Sequence, residues 1–436
     1  MLQEKINSQT DHLEGLFKKY RDVPKEVIVK EDLLRVGFHL SRKTIDSCAG
    51  EMRKVYQLFS WDFTKVEKMG GKDVSVLFPD TIEIIGGIYQ LRRIVVRPRI
   101  NMDSPYSINL IENKLELCDR DSGSPIAELL PFRPVPGIMN KSFEDGTLYR
   151  EVGPINADFI IFRQCQYWGP SEECKFCDIN RNAAAKKKLG QVKTLQPKKV
   201  EHVAKWCEDV FFSEDVPIED RPISVHLNGG SITQSLQGLP EFEFYIQFVD
   251  AIRERIGTRW PIVIQTGPWP IEQEKEAAKR VNICRLSNYE VWDKDLFKII
   301  CPGKSKSIGR DQWHKGILDQ VEIFGEGAAC PGFVCGVEMA QPFGFKTVEE
   351  AVKSSTEGME FFMSRGAVVR PISWCVEALS DLPGQQPPPV DYYIQIDRNW
   401  FELWSKYKLP PVKGFPPIGP GLNLYPNSAS FDMGVV

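Results

Sequence analysis

The chain has 436 residues, a net charge of −4, 42% apolar and 26% charged side chains. This is the balance of a soluble globular protein, longer than one ordinary domain but within the range of an α/β barrel. No basic stripe of the kind that nucleic-acid binders carry is present, no run of about eighteen apolar residues could cross a membrane, and the polar start lacks a signal-peptide core. A cytoplasmic protein with reduced thiols is therefore expected.

Residues 1 to about 60 read as helical, because Leu13, Leu16, Phe17 and Tyr20 recur at helical spacing and Val27, Leu33, Leu34 and Phe38 continue the pattern. From about 72 the period shortens. DVSVLF, TIEIIG, GIYQLRRIVV and INLIENKLEL are strand-like runs with turn residues between them, so a small antiparallel module is expected near 72–120. RPVPGIMNKSFEDG, residues 133–146, reads as a connecting loop.

From about 157 strands and helices alternate. DFIIF, ISVHLNGG, PIVIQTG, NICRLSNYEVWD, GFVCGVEM and AVVRPISW are the strands; PKKVEHVAKWCEDVFF, FEFYIQFVDAIRERI, a stretch near 311–325 and TVEEAVKSSTEGMEFFMSR are helices. The run AAAKKK reads as a solvated helix face. Such alternation predicts an α/β fold with parallel βα units, here a partial (β/α)6 barrel. The predicted organisation is a helical and β-rich N-terminal module (1–150), the barrel (151–373) and a Pro- and Gly-rich C-terminal extension (374–436). The extension contains one helix candidate, DYYIQIDRNWFELWSKY, and could wrap the barrel or act as a lid.

Three of the eleven cysteines, Cys165, Cys174 and Cys177, crowd the loop CQYWGPSEECKFC after the first strand of the alternating region. Chemistry gathers at the C-terminal ends of barrel strands. Soft thiolates suit zinc or iron–sulfur. A structural zinc site wants four ligands, and His226 and His314 are far off in sequence. Three cysteines without a fourth suit a cubane cluster with one open iron; three unrelated core cysteines are the remaining alternative. Cys284, Cys301, Cys335 and Cys375 show no cluster spacing, and Cys330 alone reads as a small core residue.

The Cys-x8-Cys-x2-Cys loop, with Phe176 before its last cysteine, resembles the radical S-adenosylmethionine (radical SAM) superfamily. LNGGSI (227–232), LSNYEVWD (286–293), SIGRDQW and CPGFVCGVEM (330–339) resemble, in order, motifs of its biotin-synthase-like branch. The overall layout also resembles a biotin-synthase-like group linked to nitrilase-type gene clusters. The resemblance covers about 157–373. It implies a [4Fe–4S] cluster on Cys165, Cys174 and Cys177. It also implies a SAM site formed by Phe176, Gly229, Gly230, Ser231, Asn288, Glu290 and Arg310. The activity implied is hydrogen abstraction from a small molecule by a 5′-deoxyadenosyl radical, fed by a one-electron donor such as flavodoxin or ferredoxin, with no nucleic-acid or membrane partner. Sulfur insertion is not expected, because Asn228 and Thr266 stand where a second cluster would need cysteines. Tyr167, Trp168, Trp269 and Trp292 could line an apolar pocket or simply be core. The rival reading is a zinc- or ligand-binding barrel without radical chemistry.

Overall fold

The computed structural model describes residues 8–47, 53–55, 77–79, 81–131, 136–188 and 195–434. The start of DVSVLF and of RPVPGIMNKSFEDG therefore lies outside the described residues. Among them, no helix is long and apolar enough to cross a membrane.

The N-terminal part is more mixed than its helical pattern suggests. Helices α1 (Gln9–Lys19) and α2 (Lys25–Val36) are followed by the short strand β1 (His39–Leu40) and α3 (Arg42–Ser47). Ser8 and Asp11 form a capping box at the start of α1, which satisfies two otherwise unpaired amides. Next come β2 (Arg53–Val55), β3 (Leu77–Pro79), β4 (Ile82–Gly86), β5 (Leu91–Val96), β6 (Tyr106–Ile111), β7 (Lys114–Asp119) and β8 (Pro125–Leu129). INLIENKLEL is not one strand. Glu112 and Asn113 both take positive φ, of 48° and 65°, and turn it into a hairpin. The six-stranded sheet runs β1-β6-β7-β8-β4-β5, with β1 parallel to β6, and packs its apolar face on α1 and α2.

After the one-turn helix α4 (Tyr149–Val152) the alternation begins: β9 (Asp158–Ile160), α5 (Ile179–Lys188), α6 (Val200–Phe211), β10 (Val225–Asn228), α7 (Glu241–Ile256), β11 (Ile262–Gln265), α8 (Ile271–Ala278) and β12 (Ile283–Leu286). It continues with α9 (Lys294–Ile300), α10 (Pro302–Ser307), α11 (Arg310–Phe324), β13 (Gly332–Cys335), α12 (Val348–Met363) and β14 (Arg370–Ser373). Strands β9 to β12 pair in parallel in chain order, and β13 pairs in parallel with β14. Two bridges, Arg285 to Ala329 and Glu290 to Phe333, carry the curved sheet from β12 to β13. Among the described residues β14 does not pair back with β9. The result is an open, partial barrel. Its central strands are buried on both faces, as parallel strands between a filled interior and a helical jacket must be.

The C-terminal segment is structural. Helix α13 (Val390–Lys406) places Val390 and Ile394 in the N-terminal core, and Tyr392, Tyr393, Ile396 and Trp400 in the core around β12–β14. Beyond it the chain passes under the barrel. The Gly414 carbonyl accepts from Ser224 Oγ at 2.6 Å, and Phe415 meets the His226 ring edge-on at 5.0 Å.

The seam between module and tail is charged. Lys30, fully buried on α2, pairs with the equally buried Asp432 at 2.7 Å and donates to the Tyr425 carbonyl at 2.6 Å. Removing one partner of a buried pair strands the other charge, at a cost of about 3–5 kcal/mol. Lys30→Met is therefore expected to lower unfolding free energy by about that amount in urea titration. Adding Asp432→Leu should recover most of the loss. A Lys30→Met change of under about 1 kcal/mol would contradict this account.

Candidate functional site

The C-terminal ends of β9, β10, β11 and β12 open on a cavity of about 310 Å³. Its lining includes Cys165, Cys174, Cys177, Phe176, Gly229, Gly230, Ser231, Asn288 and Glu290. All the sequence-predicted site residues except Arg310 thus share one chamber.

The cysteine loop is fixed at both ends. Gln166 donates its amide to the Ser231 carbonyl at 2.9 Å, while its side-chain oxygen accepts from the amides of Thr233 and Gln234, each at 2.8 Å. The Asn180 carboxamide clasps the Cys165 backbone, accepting its N–H at 2.6 Å and donating to its carbonyl at 2.8 Å. Cys174 and Cys177 sit on one tight turn, closed by the Cys177 amide on the Cys174 carbonyl at 3.0 Å. That turn is pinned by the Lys175 amide on the Ile300 carbonyl and by the Asp381 amide on the Lys175 carbonyl. Arg181 adds salt bridges to Glu173 and Asp381. The C-terminal extension therefore helps hold the thiol-bearing loop.

The two glycines serve the protein's own backbone first. A Cβ on Gly230 would lie 2.5 Å from the Cys165 Cα, and one on Gly229 would lie 2.6 Å from Phe162 Cδ1. Their absence lets the end of β10 and the cysteine loop touch. The same contact aims the Ser231 amide at Cys165 Sγ, 3.4 Å away.

Glu290 carries the site's backbone strain, with φ at 77° in a non-glycine residue. The conformation lets its amide and carbonyl bridge Gly332 and Val334 of β13. Its buried carboxylate takes the Lys304 ammonium on Oε1 at 2.6 Å, and Oε2 has no partner. Lys304 also donates to the Asn288 carbonyl at 2.9 Å. Burial works against its charge, but Glu290 and neighbouring thiols outweigh that and hold its pKa well above the usual lysine value. Nothing in the sequence pattern marks Lys304; its basic neighbours Lys306 and Arg310 are equally plausible partners by spacing.

Thiol acidity is suppressed throughout. A hydrogen bond with Cys301 and burial raise Cys174, burial and the Cys174 thiol raise Cys177, and burial raises Cys165. Bound metal reverses such shifts, because only thiolates ligate. The three sulfurs line one cavity, yet among the described residues no three Cys, His, Asp or Glu side chains converge as a single ion requires. A cubane cluster would take each thiolate on its own iron corner and needs only three, whereas a structural zinc site wants four ligands. Cys301, which has no motif spacing, is buried against Cys174 rather than isolated from the site.

Arg310 is the departure. Its guanidinium stacks 4.6 Å over the Trp292 ring and donates to the Trp292 carbonyl, in a separate cleft with Asp293, Glu350 and Glu357. Stacking on Trp292 keeps it out of the cysteine cavity. Of the four aromatics considered, Tyr167 and Trp168 line that cavity, while Trp292 lies in the other cleft and Trp269 is packed 3.7 Å under Arg285. Cys330 is fully buried with its thiol against Cys284.

Gly230→Ala should push the cysteine loop off β10. We expect a clear loss of anaerobically bound iron relative to Gly15→Ala, where a Cβ meets nothing within 4 Å. Equal iron content in the two variants would show that the contact does not shape the site.

No protein-family model matches the chain. A bacteriochlorophyllide c C-7(1)-hydroxylase from Chlorobaculum limnaeum is 28% identical over 138 residues, which are 31% of this chain and 31% of that protein. The chain thus spans about a third of this curated relative. Among solved structures, methylornithine synthase (PylB) has a TM-score of 0.41 at 15% identity, covering 56% of this chain and 60% of that one. Coproporphyrinogen III oxidase (HemN) from Escherichia coli, a radical SAM enzyme, has a TM-score of 0.33 at 11% identity, covering 48% and 47%. In its cysteine loop, its glycine-ended second strand and its open parallel barrel, the chain is similar to the radical SAM superfamily of enzymes.

Proposed function

We propose that the chain is a radical SAM enzyme acting on a small molecule. The observation that carries this reading is the gathering of Cys165, Cys174 and Cys177 with Gly229, Gly230 and Glu290 around one strand-end cavity. These cysteines would hold a [4Fe–4S] cluster, and Gly229, Gly230, Ser231, Asn288 and Glu290 would surround SAM. The chemistry that such a cluster and SAM supply when bound is one-electron cleavage of a sulfonium to a 5′-deoxyadenosyl radical, which takes hydrogen from an unactivated carbon.

The chain's own residues have definite tasks in this reading. The Ser231 amide stabilises negative charge on Cys165 Sγ. Lys304 fixes one oxygen of Glu290, leaving Oε2 as an acceptor for a ligand hydroxyl or ammonium. Tyr167, Trp168, Val334 and Ile372 supply apolar walls that exclude water from a reactive intermediate. Electrons would come from a one-electron donor of flavodoxin or ferredoxin type. The hydroxylase relative is named for a reaction on a bacteriochlorophyllide, which agrees with a small-molecule substrate here.

Anaerobically prepared protein is expected to contain iron and sulfide, and to release 5′-deoxyadenosine when reduced with SAM and a metabolite extract. Cys174→Ala should lose most of both signals. Zinc in place of iron, or unchanged cluster content in Cys174→Ala, would overturn the proposal.

A further inference from the structure

The three thiols of the cysteine loop do not have the same neighbours. Cys165 has the Ser231 amide 3.4 Å from its sulfur, and Cys177 has a backbone hydrogen bond with Ile179 at the start of α5. Cys174 has no such amide among the described residues. Its hydrogen-bond partner is another thiol, that of Cys301. Cys301 stands at the junction of α9 and α10, fully buried, in a core against which Cys174 packs.

The backbone fixes this contact. The Lys175 amide donates to the Ile300 carbonyl at 2.8 Å, and the Gly303 amide donates to the Glu172 carbonyl at 3.0 Å. The two bonds bracket Cys174 and Cys301 and run their segments in opposite directions, so the two residues lie opposite one another. Gly303 permits the approach: a Cβ there would lie 2.3 Å from the Glu172 carbonyl oxygen and 2.7 Å from Tyr167 Cδ1. Farther along α10, Lys304 brings its ammonium to the same end of the loop, close enough to interact electrostatically with both sulfurs.

A thiolate has no proton to give. With Cys174 as a metal ligand, Cys301 is the donor of this pair. Hydrogen bonds to ligand sulfur stabilise the more negative, reduced state of an iron–sulfur cluster and so set its potential. We propose that Cys301 acts through Cys174 as a positioning residue of the cluster site, its S–H donating to the Cys174 thiolate and holding the reduction potential of the cluster up. The inference rests on reading the loop as a cluster site, but its test needs neither SAM nor turnover.

Redox titration of the anaerobically prepared full chain, followed by electron paramagnetic resonance, reads that potential directly. Cys301→Ala and Cys301→Val remove the donor with opposite changes of volume, and Cys301→Ser keeps a donor. At a fixed solution potential the ratio of reduced to oxidised cluster should fall about threefold in Cys301→Ala and Cys301→Val, which is about 28 mV for a one-electron couple. Cys301→Ser should keep most of the original ratio. Cys207→Ala, in a different core, should leave it unchanged. If one donor-free variant fails to fold, the other decides. An unchanged ratio without the donor, or an equal fall in Cys301→Ser, would overturn the proposal. A chain that holds no iron–sulfur cluster would sink the enzymatic reading and this inference with it. A cluster whose potential ignores Cys301 would remove this inference alone.

Discussion

The site depends on one steric fact: two stretches of backbone meet where no side-chain carbon fits. Gly230 brings the end of the second barrel strand against the Cys165 backbone. From that contact follow the amide directed at the Cys165 sulfur, the Gln166 anchor on the strand-end turn and the placement of Asn180. The second half of the loop is tied to the end of α9 and to the C-terminal extension through Lys175. The cavity is therefore assembled from parts separated by about half the chain, each held by hydrogen bonds in which at least one partner is the main chain. Such preorganisation is what a site needs if a cofactor is to arrive into fixed geometry.

Charge is managed with similar economy. Burying an ion is costly unless a partner and hydrogen bonds replace water. Arg285 satisfies this by meeting Glu274, the Gly267 carbonyl and Thr266 Oγ1 together, with Trp269 stacked on its face. Trp269 is thereby committed to the outer jacket. Lys304 is satisfied by Glu290 and the Asn288 carbonyl. Arg370 is handled differently: the Asn288 carboxamide oxygen and the faces of Phe415 and Tyr425 meet its guanidinium.

The sequence made the barrel's strands, its larger helices and most of the cavity residues legible, because these rest on local signals. Apolar runs bounded by glycine and proline mark parallel strands, and strand-end position follows from their order. What stayed hidden depends on three-dimensional partners. Arg310 and Lys304 are both cations near the end of the fourth strand; only the Trp292 ring, which captures Arg310, and the Glu290 carboxylate, which captures Lys304, distinguish them. Cys301 lacks motif spacing and reaches Cys174 through the fold. INLIENKLEL was readable as β, but its midpoint turn rests on positive φ at Glu112 and Asn113, which those residue types signal weakly. The proline-rich composition of the tail suggested a wrap; the sharing of α13 between two cores is a property of which of its faces meets which neighbour.

That sharing has a consequence for biosynthesis. The core of the N-terminal module contains Val390, Ile394, Ala429 and Met433. A ribosome has made the whole six-stranded sheet and the barrel before the last pieces of this first-translated core emerge. Helices α1 and α2 can cover part of the sheet's apolar face early, but the share that belongs to α13 and the last turn of chain stays open until those residues are made. Domain-by-domain folding during synthesis, the usual economy of long chains, cannot complete the core of the six-stranded sheet until Val390, Ile394, Ala429 and Met433 have been added.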